Sequence, residues 1–340
     1  MYTLRSSFLM ALLLTGAFSC TKSMQQQESG RAKMPAGTKD GVPVDYRQEL
    51  RTFIQDISAW ARGKQPGFMV VAQNSSELLT TTGDTSDPVV TAYVNALNGV
   101  GREELVYGFE NHDDAPTPAG IKKEWTAFCQ KAKNAGLKVL VTDYCTTPAK
   151  VTTSYNTSNS NGFISFAASH RQLDNIPAGT PYQEHAGNVS TLTDARNFLY
   201  LINNGDGDTK FINSLKATNY DVLVIDAFSE DGKTVWSKAV VNSLKVKKNG
   251  GKRLVLAYMS MGQAEQYRWY WKAEWKTNPP AWLENLDPAW DGNYYVRYWM
   301  PGWKELIYGN ASSYTQKLID AGFDGTYLDP VDASSYWEEK

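Results

Sequence analysis

A chain of 340 residues, 42% hydrophobic and 21% charged, can bury a large core as one big α/β domain or two small ones. A formal net charge of -2 gives no overall attraction to nucleic acid or to anionic membranes, so neither is an expected partner. Three His and three Cys, none at metal-ligand spacing, argue against a metal site, and no cofactor is expected. The 11 Trp and 19 Tyr exceed what a core needs. Flat rings with a polar tip suit the stacking of an amphipathic ligand, and equally serve to cover strand ends and helix faces.

Residues 1–20 combine Arg5, an apolar run over 8–14 and small residues before Cys20, the pattern of a secretory signal. Residues 14–20 resemble a loose bacterial lipobox, which would make Cys20 the lipidated first residue of the mature protein. The apolar run is shorter than a membrane-spanning helix needs. Residues 21–43, with three consecutive glutamines and scattered Gly and Lys, read as a flexible tether, and 44–340 as the folded domain.

Leu50, Phe53, Ile54, Ile57, Trp60 and Ala61 recur at helical spacing, so a helix is expected over 45–62, ended by Gly63, Pro66 and Gly67. A strand then runs from Phe68 to Asn74. A helix near 89–97 leads to a short strand from Asn98, and a helix over 121–135 to a strand over 138–144. Cys129 lies on the apolar face of the latter helix, where it fills core, and Cys145 ends the strand that follows. A disulfide between them and two free thiols are both compatible with the sequence. Residues 150–162, rich in Ser, Thr and Asn, read as a polar loop before a strand over 162–168. A helix-like stretch near Thr191 precedes a strand over 197–202. Residues 203–208 superficially resemble a calcium loop but lack its central Gly and terminal Glu, so they read as a turn. Further strands are expected over 221–226, 253–262 and 322–329, with helices between them.

Eight β/α units in one chain favour a closed (β/α)₈ barrel over an open doubly wound sheet. No Gly-rich phosphate fingerprint follows any strand, which weakens a nucleotide-binding reading. The excursion between Gln263 and Trp303, with seven tryptophans, reads as one long insertion at the barrel mouth.

The C-terminal ends of barrel strands share one face. Here they carry Asn74, Glu103 or Glu104, Asp143 with Tyr144, Asp226, Tyr258 with Glu265, and Asp329 with Asp332. Carboxylates and aromatics without metal ligands or a Ser/His pair suit glycoside hydrolysis. That reaction needs one protonated acid, one carboxylate, and polar groups to hold the sugar, a role open to Asn74, Glu104 and Asp332. A strand-end Asp can instead cap the next helix, and Asp329 before Pro330 fits that alternative.

The segments 222–226, 258–268, 280–282, 293–299 and 322–329 resemble glycoside hydrolase family 114, the endo-α-1,4-polygalactosaminidase-type barrels, over most of residues 197–337. Residues 73–79, 99–108 and 139–144 resemble the second half of that family, yet come first here. The resemblance implies a circular permutant in which 44–170 is the second half, 171–196 joins, and 197–340 is the first half. Barrels tolerate such reordering because their termini can lie close together. Exchange of halves between two chains of a dimer is the competing explanation.

By resemblance, Asp329 and Glu103 form the catalytic pair, with Glu104 beside Glu103 as the alternative. Asp226, Tyr258, Glu265, Asp143 and Tyr144 bind substrate. The expectation is a secreted, lipid-anchored hydrolase of α-linked galactosamine-type bonds in an extracellular polysaccharide, touching the membrane only through Cys20. A non-catalytic carbohydrate-binding lipoprotein and a barrel glycosidase acting on a neutral glycan are the rivals. A mouth with more carboxylates than catalysis needs would favour a cationic amino sugar.

Overall fold

The computed structural model describes residues 38–39, 42–203, 205 and 207–340; the expected signal segment with Cys20 and most of the tether lie outside the described residues. Pro35–Lys340 form one compact unit. Eight apolar runs form parallel strands: β1 (Met69–Gln73), β2 (Gly99–Glu103), β3 (Lys138–Tyr144), β4 (Ile164–Ala168), β5 (Phe198–Leu201), β6 (Val222–Asp226), β7 (Leu254–Ser260) and β8 (Gly325–Asp329). Their order in the sheet is β4-β3-β2-β1-β8-β7-β6-β5. The barrel's first and last strands in chain order therefore pair, Gly325 opposite Met69, and the sheet curls into a nearly closed TIM-like barrel. Only the β4–β5 junction lacks a ladder among the described residues; there the Phe166 and Phe198 rings meet with centroids 5.9 Å apart.

Parallel strands covered on both faces should be buried along their whole length. β1, β4, β5 and β7 are. β2, β6 and β8 open only at their last residues, which are Glu103, Asp226 and Asp329. Inside the barrel the Tyr327 hydroxyl donates to Gln73 Oε1. A Cβ at Gly101 would collide with both groups, so the glycine two residues before Glu103 makes room for this pair.

The outer layer comprises α1 (Tyr46–Lys64), α2 (Thr91–Ala96), α3 (Ala119–Asn134), α4 (Pro148–Ser160), α5 (Asp208–Lys216), α6 (Lys238–Leu244), α7 (Pro301–Ile307), α8 (Tyr314–Ala321) and α9 (Ala333–Glu338). Asp45 caps α1, its carboxylate accepting from Gln48 N–H at 2.9 Å, a contact worth about 1 kcal/mol. The buried stripe Leu50, Phe53, Ile54 and Ile57 is the one its spacing predicts. This helix packs against α8 and α9, and the Tyr308 hydroxyl donates to Asp56 at 2.8 Å.

One expectation needs correction, and one open alternative is resolved. Residues 150–162 are not a loop: they lie largely in α4, with Pro148 in its first turn. Its buried face is Ser154 and Ser158, so small residues do the packing and no apolar period marks it. Thr152 and Thr153 turn their hydroxyls back onto the carbonyls of Pro148 and Ala149, which satisfies them within the helix. Cys129 and Cys145 are both buried and free, and burial pushes each thiol up to about 12.

Residues 171–196 run past the unladdered junction as a strap. At the top, the carbonyl of buried Leu173 accepts from Ile202 and Asn203 N–H at 3.0 and 3.2 Å. At the base, the fully buried Asp221 accepts from Lys247 Nζ at 3.0 Å, His185 Nε2 at 2.9 Å and Arg196 N–H at 2.8 Å. Gly187 N–H donates to His185 Nδ1, which leaves the proton of the neutral ring on Nε2, facing Asp221. Replacing Asp221 by Ala removes the counter-charge of the buried Lys247 ammonium, leaving it only the His185 and Gly187 carbonyls, each at 2.8 Å. Asp221→Ala should cost about 3–5 kcal/mol in urea unfolding, whereas a loss under 1 kcal/mol would remove this cluster as the strap's anchor.

Candidate active site

The mouth of the barrel holds a cavity of about 660 Å³. It gathers Asn74, Glu103, Glu104, Tyr144, Asp226, Tyr258, Glu265, Asp329 and Asp332 from six strand ends and the turns after them. Asp143 is the exception. It precedes Tyr144 on β3, so its side chain points to the opposite face, out toward α4. There its carboxylate accepts from Ser154 Oγ at 2.6 Å and from the N–H groups of Val106 and Tyr107 at 2.8 and 3.3 Å, fully buried. Asp143 shapes the turn after β2 and does not reach the cavity.

Two carboxylates are held by separate supports. Glu103 accepts from the Tyr144 hydroxyl on one oxygen and from Asn74 Nδ2 at 3.0 Å on the other. Asn74 Oδ1 in turn accepts the Glu103 backbone N–H at 3.1 Å, so the amide brackets the residue at two points. The backbone here is strained: Asn74 and Glu104 sit at φ +49° and +57°, costing on the order of 1–3 kcal/mol each. Their N–H groups are fixed by the carbonyls of Gly101 and Thr142, at 2.9 and 2.8 Å. Across the mouth, Asp329 accepts from the Tyr258 hydroxyl at 3.0 Å. Asp329 caps no helix; Asp332 occupies the N-cap position before α9, without a side-chain capping bond.

Desolvation raises the Asp329 carboxyl well above the ordinary carboxylate range, and the charges of Glu103 and Asp332 push the same way. The Tyr258 hydroxyl pulls it partly back. Asp332 is pushed up to about 6, chiefly by the walls of the mouth, although its outer edge is exposed and the effect there is screened. Burial first, and carboxylate neighbours next, also raise Tyr144 and Tyr258. Both hydroxyls therefore stay protonated and act as donors.

Three arginines without a role in the sequence reading complete the walls. Buried Arg268 bonds both oxygens of Asp226, at 2.9 and 2.8 Å, and Glu265 at 2.5 Å. Burial works against its charge, but the two carboxylates outweigh it and keep it protonated. Arg171 bonds Glu104 at 2.7 Å, and Arg102 lies 3.4 Å over the Trp125 ring while donating to the Glu103 carbonyl. Arg268 was legible, lying three residues after Glu265; Arg171 carries no local signal. Among the described residues no group of His, Cys, Asp and Glu is arranged to hold a metal ion.

The insertion folds as a three-stranded antiparallel sheet, Gln263–Glu265, Asn293–Val296 and Leu283–Leu286, with Asn293–Val296 central. Its tryptophans mostly pack on one another: Trp271 on Trp275, Trp275 on Trp282 and Trp282 on Trp303, with centroids 5.4, 5.1 and 5.0 Å apart. Among them Trp290, 53% exposed, lines the cavity.

Fold and site together define a TIM-like barrel with a carboxylate-walled mouth. Residues 180–339, just under half of the chain, match the model of glycoside-hydrolase family GH114. An uncharacterized protein of Methanocaldococcus jannaschii is 40% identical over 158 residues, 46% of this chain and 42% of the relative. One of Thermotoga maritima is 39% identical over 144 residues, 42% of this chain and 41% of the relative. The chain thus spans less than half the length of these curated relatives.

Because its folded-state pKa is raised, Asp329 opposes folding once pH rises above the unfolded carboxyl value of about 4, and not below it. Asp329→Asn should therefore raise the thermal midpoint at pH 7, with the gain shrinking as pH falls through 4. An equal midpoint at both pH values would contradict the burial argument.

Proposed function

We propose that this protein hydrolyses glycosidic bonds with Asp329 and Glu103 as its working pair, one giving a proton to the leaving oxygen and the other serving as nucleophile or base. The observation that carries this reading is the pair itself: two carboxylates at the mouth of one barrel, each on its own tyrosine, with burial raising the Asp329 carboxyl well above the ordinary range. One proton shared between two such groups is what acid–base cleavage of an acetal requires. The GH114 match over 180–339, which contains Asp329, supports it further.

The finer reading is an α-linked amino-sugar polymer. Eight carboxylates line the cavity, and of the three arginines there Arg268 and Arg171 are already paired with acids. No ion pair reaches Asp291 or Asp332 among the described residues, so the rim favours a cationic chain. The exposed Trp290 and the stacked Tyr295 and Tyr336, 3.6 Å apart, offer flat faces for sugar rings. The permuted order belongs to the same proposal. In its favour, α1 packs on α8 and α9, so a helix from the start of the domain covers the β8–β1 closure. Secretion and a lipid on Cys20 likewise rest on the sequence pattern of residues 1–20.

The test is oligosaccharide release from deacetylated and acetylated polygalactosamine by the chain from residue 20 with Cys20 replaced. Glu103→Gln and Asp329→Asn should each lower kcat about 10²–10⁴-fold while leaving polymer affinity within a few-fold. Acetylation should raise KM. Polymer binding without release by the unaltered chain would favour the carbohydrate-binding alternative, and equal use of both polymers would sink the cationic preference.

A further inference from the structure

We infer that Arg171, carried by the strap and not by a barrel strand, is a positioning residue for Glu103 and acts on it through Tyr144. The inference rests on the glycosidase reading for its kinetic test but not for its structural one. Arg171 donates to four points along residues 104–113: Nη1 to Glu104 Oε1 at 2.7 Å and Asn111 Oδ1 at 3.4 Å, Nη2 to the Gly108 carbonyl at 2.8 Å, and Nε to Asp113 Oδ1 at 3.1 Å. Its guanidinium carbon lies 4.0 Å from the centre of the Tyr144 ring. The hydroxyl of that ring donates to Glu103.

The packing leaves little freedom. Gly108 sits at φ +111°, and a Cβ there would stand 3.1 Å from both Arg171 Nη2 and the Tyr144 side chain. The Gly108 backbone thus abuts both the guanidinium and the Tyr144 side chain, in a conformation that disfavours any side chain there. A cation on the ring face also draws electron density from the phenol, which makes its O–H a stronger donor to Glu103. By taking Glu104 as a partner, the same guanidinium keeps the adjacent carboxylate from competing with Glu103 for Tyr144 or Asn74.

Holding the strap does not require Arg171, since Leu173 and the Asp221 cluster fix it at both ends. Only a planar fork supplies three diverging donors together with a stacking face, so lysine is a partial substitute. This separates a positioning role from a structural one.

The experiment is a double-mutant cycle of Arg171→Met and Tyr144→Phe, with Arg171→Lys as the conservative variant. Each single change should lower kcat for oligosaccharide release 10- to 100-fold, with KM within threefold and the thermal midpoint within a few degrees. The double variant should be no more than threefold worse than the poorer single one, and Arg171→Lys should recover part of the loss. Multiplying losses, or losses that track the midpoint, would overturn the inference.

Should the unaltered chain release nothing from any polymer, the glycosidase reading fails and the inference is read by NMR instead. The Tyr144 Cζ resonance, assigned by its absence in Tyr144→Phe, should move in Glu103→Gln and move in the same direction in Arg171→Met. A resonance unmoved by Arg171→Met would refute the coupling.

Discussion

Carboxylates crowded into the mouth of an apolar barrel cannot all ionise without compensation, and the architecture of this site follows from that constraint. Each acid has its own remedy. Asp226 and Glu265 share one buried guanidinium, and Glu104 takes a second. Glu103 is bracketed by neutral donors, a phenol and an amide. Asp329 is left with a single phenol, and burial raises its carboxyl well above the ordinary carboxylate range. The acids of the mouth thus fall into two groups, those held by guanidinium ions and those held only by neutral donors.

The barrel was legible because strands buried on both faces read as unbroken apolar runs, and because the polar residues ending those runs must emerge together. Glu103, Asp226 and Asp329 are the residues at which their strands open. Asp143 misled for a reason of geometry. Neighbours on a strand face opposite ways, and a strand end written Asp-Tyr does not say which of the two turns inward. Residues 150–162 misled for a reason of composition, since α4 packs through serines and shows no hydrophobic period.

The arginines lay deeper. Arg268 stands one helical turn's spacing from Glu265, so its pairing had a local trace. Arg171 is 67 residues from Glu104, and only the path of the strap brings them together. The choice between Glu103 and Glu104 was beyond the sequence for the same reason. Both face the cavity, and they differ by their partners: the strap supplies a cation to one, while β1 and β3 supply neutral donors to the other.

The strap also has a bearing on solubility. A sheet that closes everywhere but at one junction retains two edge strands, β4 and β5, with backbone groups free of a ladder on that side. Where such an edge is left open it can recruit strands from other molecules, and proteins commonly cover it with a loop or inward charges. Residues 171–196 provide both: a buried carbonyl at Leu173 that engages the chain just beyond β5, and an ionic cluster at the base that would be costly to place against a foreign strand. The segment between β4 and β5 thus covers the junction at which, among the described residues, the barrel sheet has no ladder.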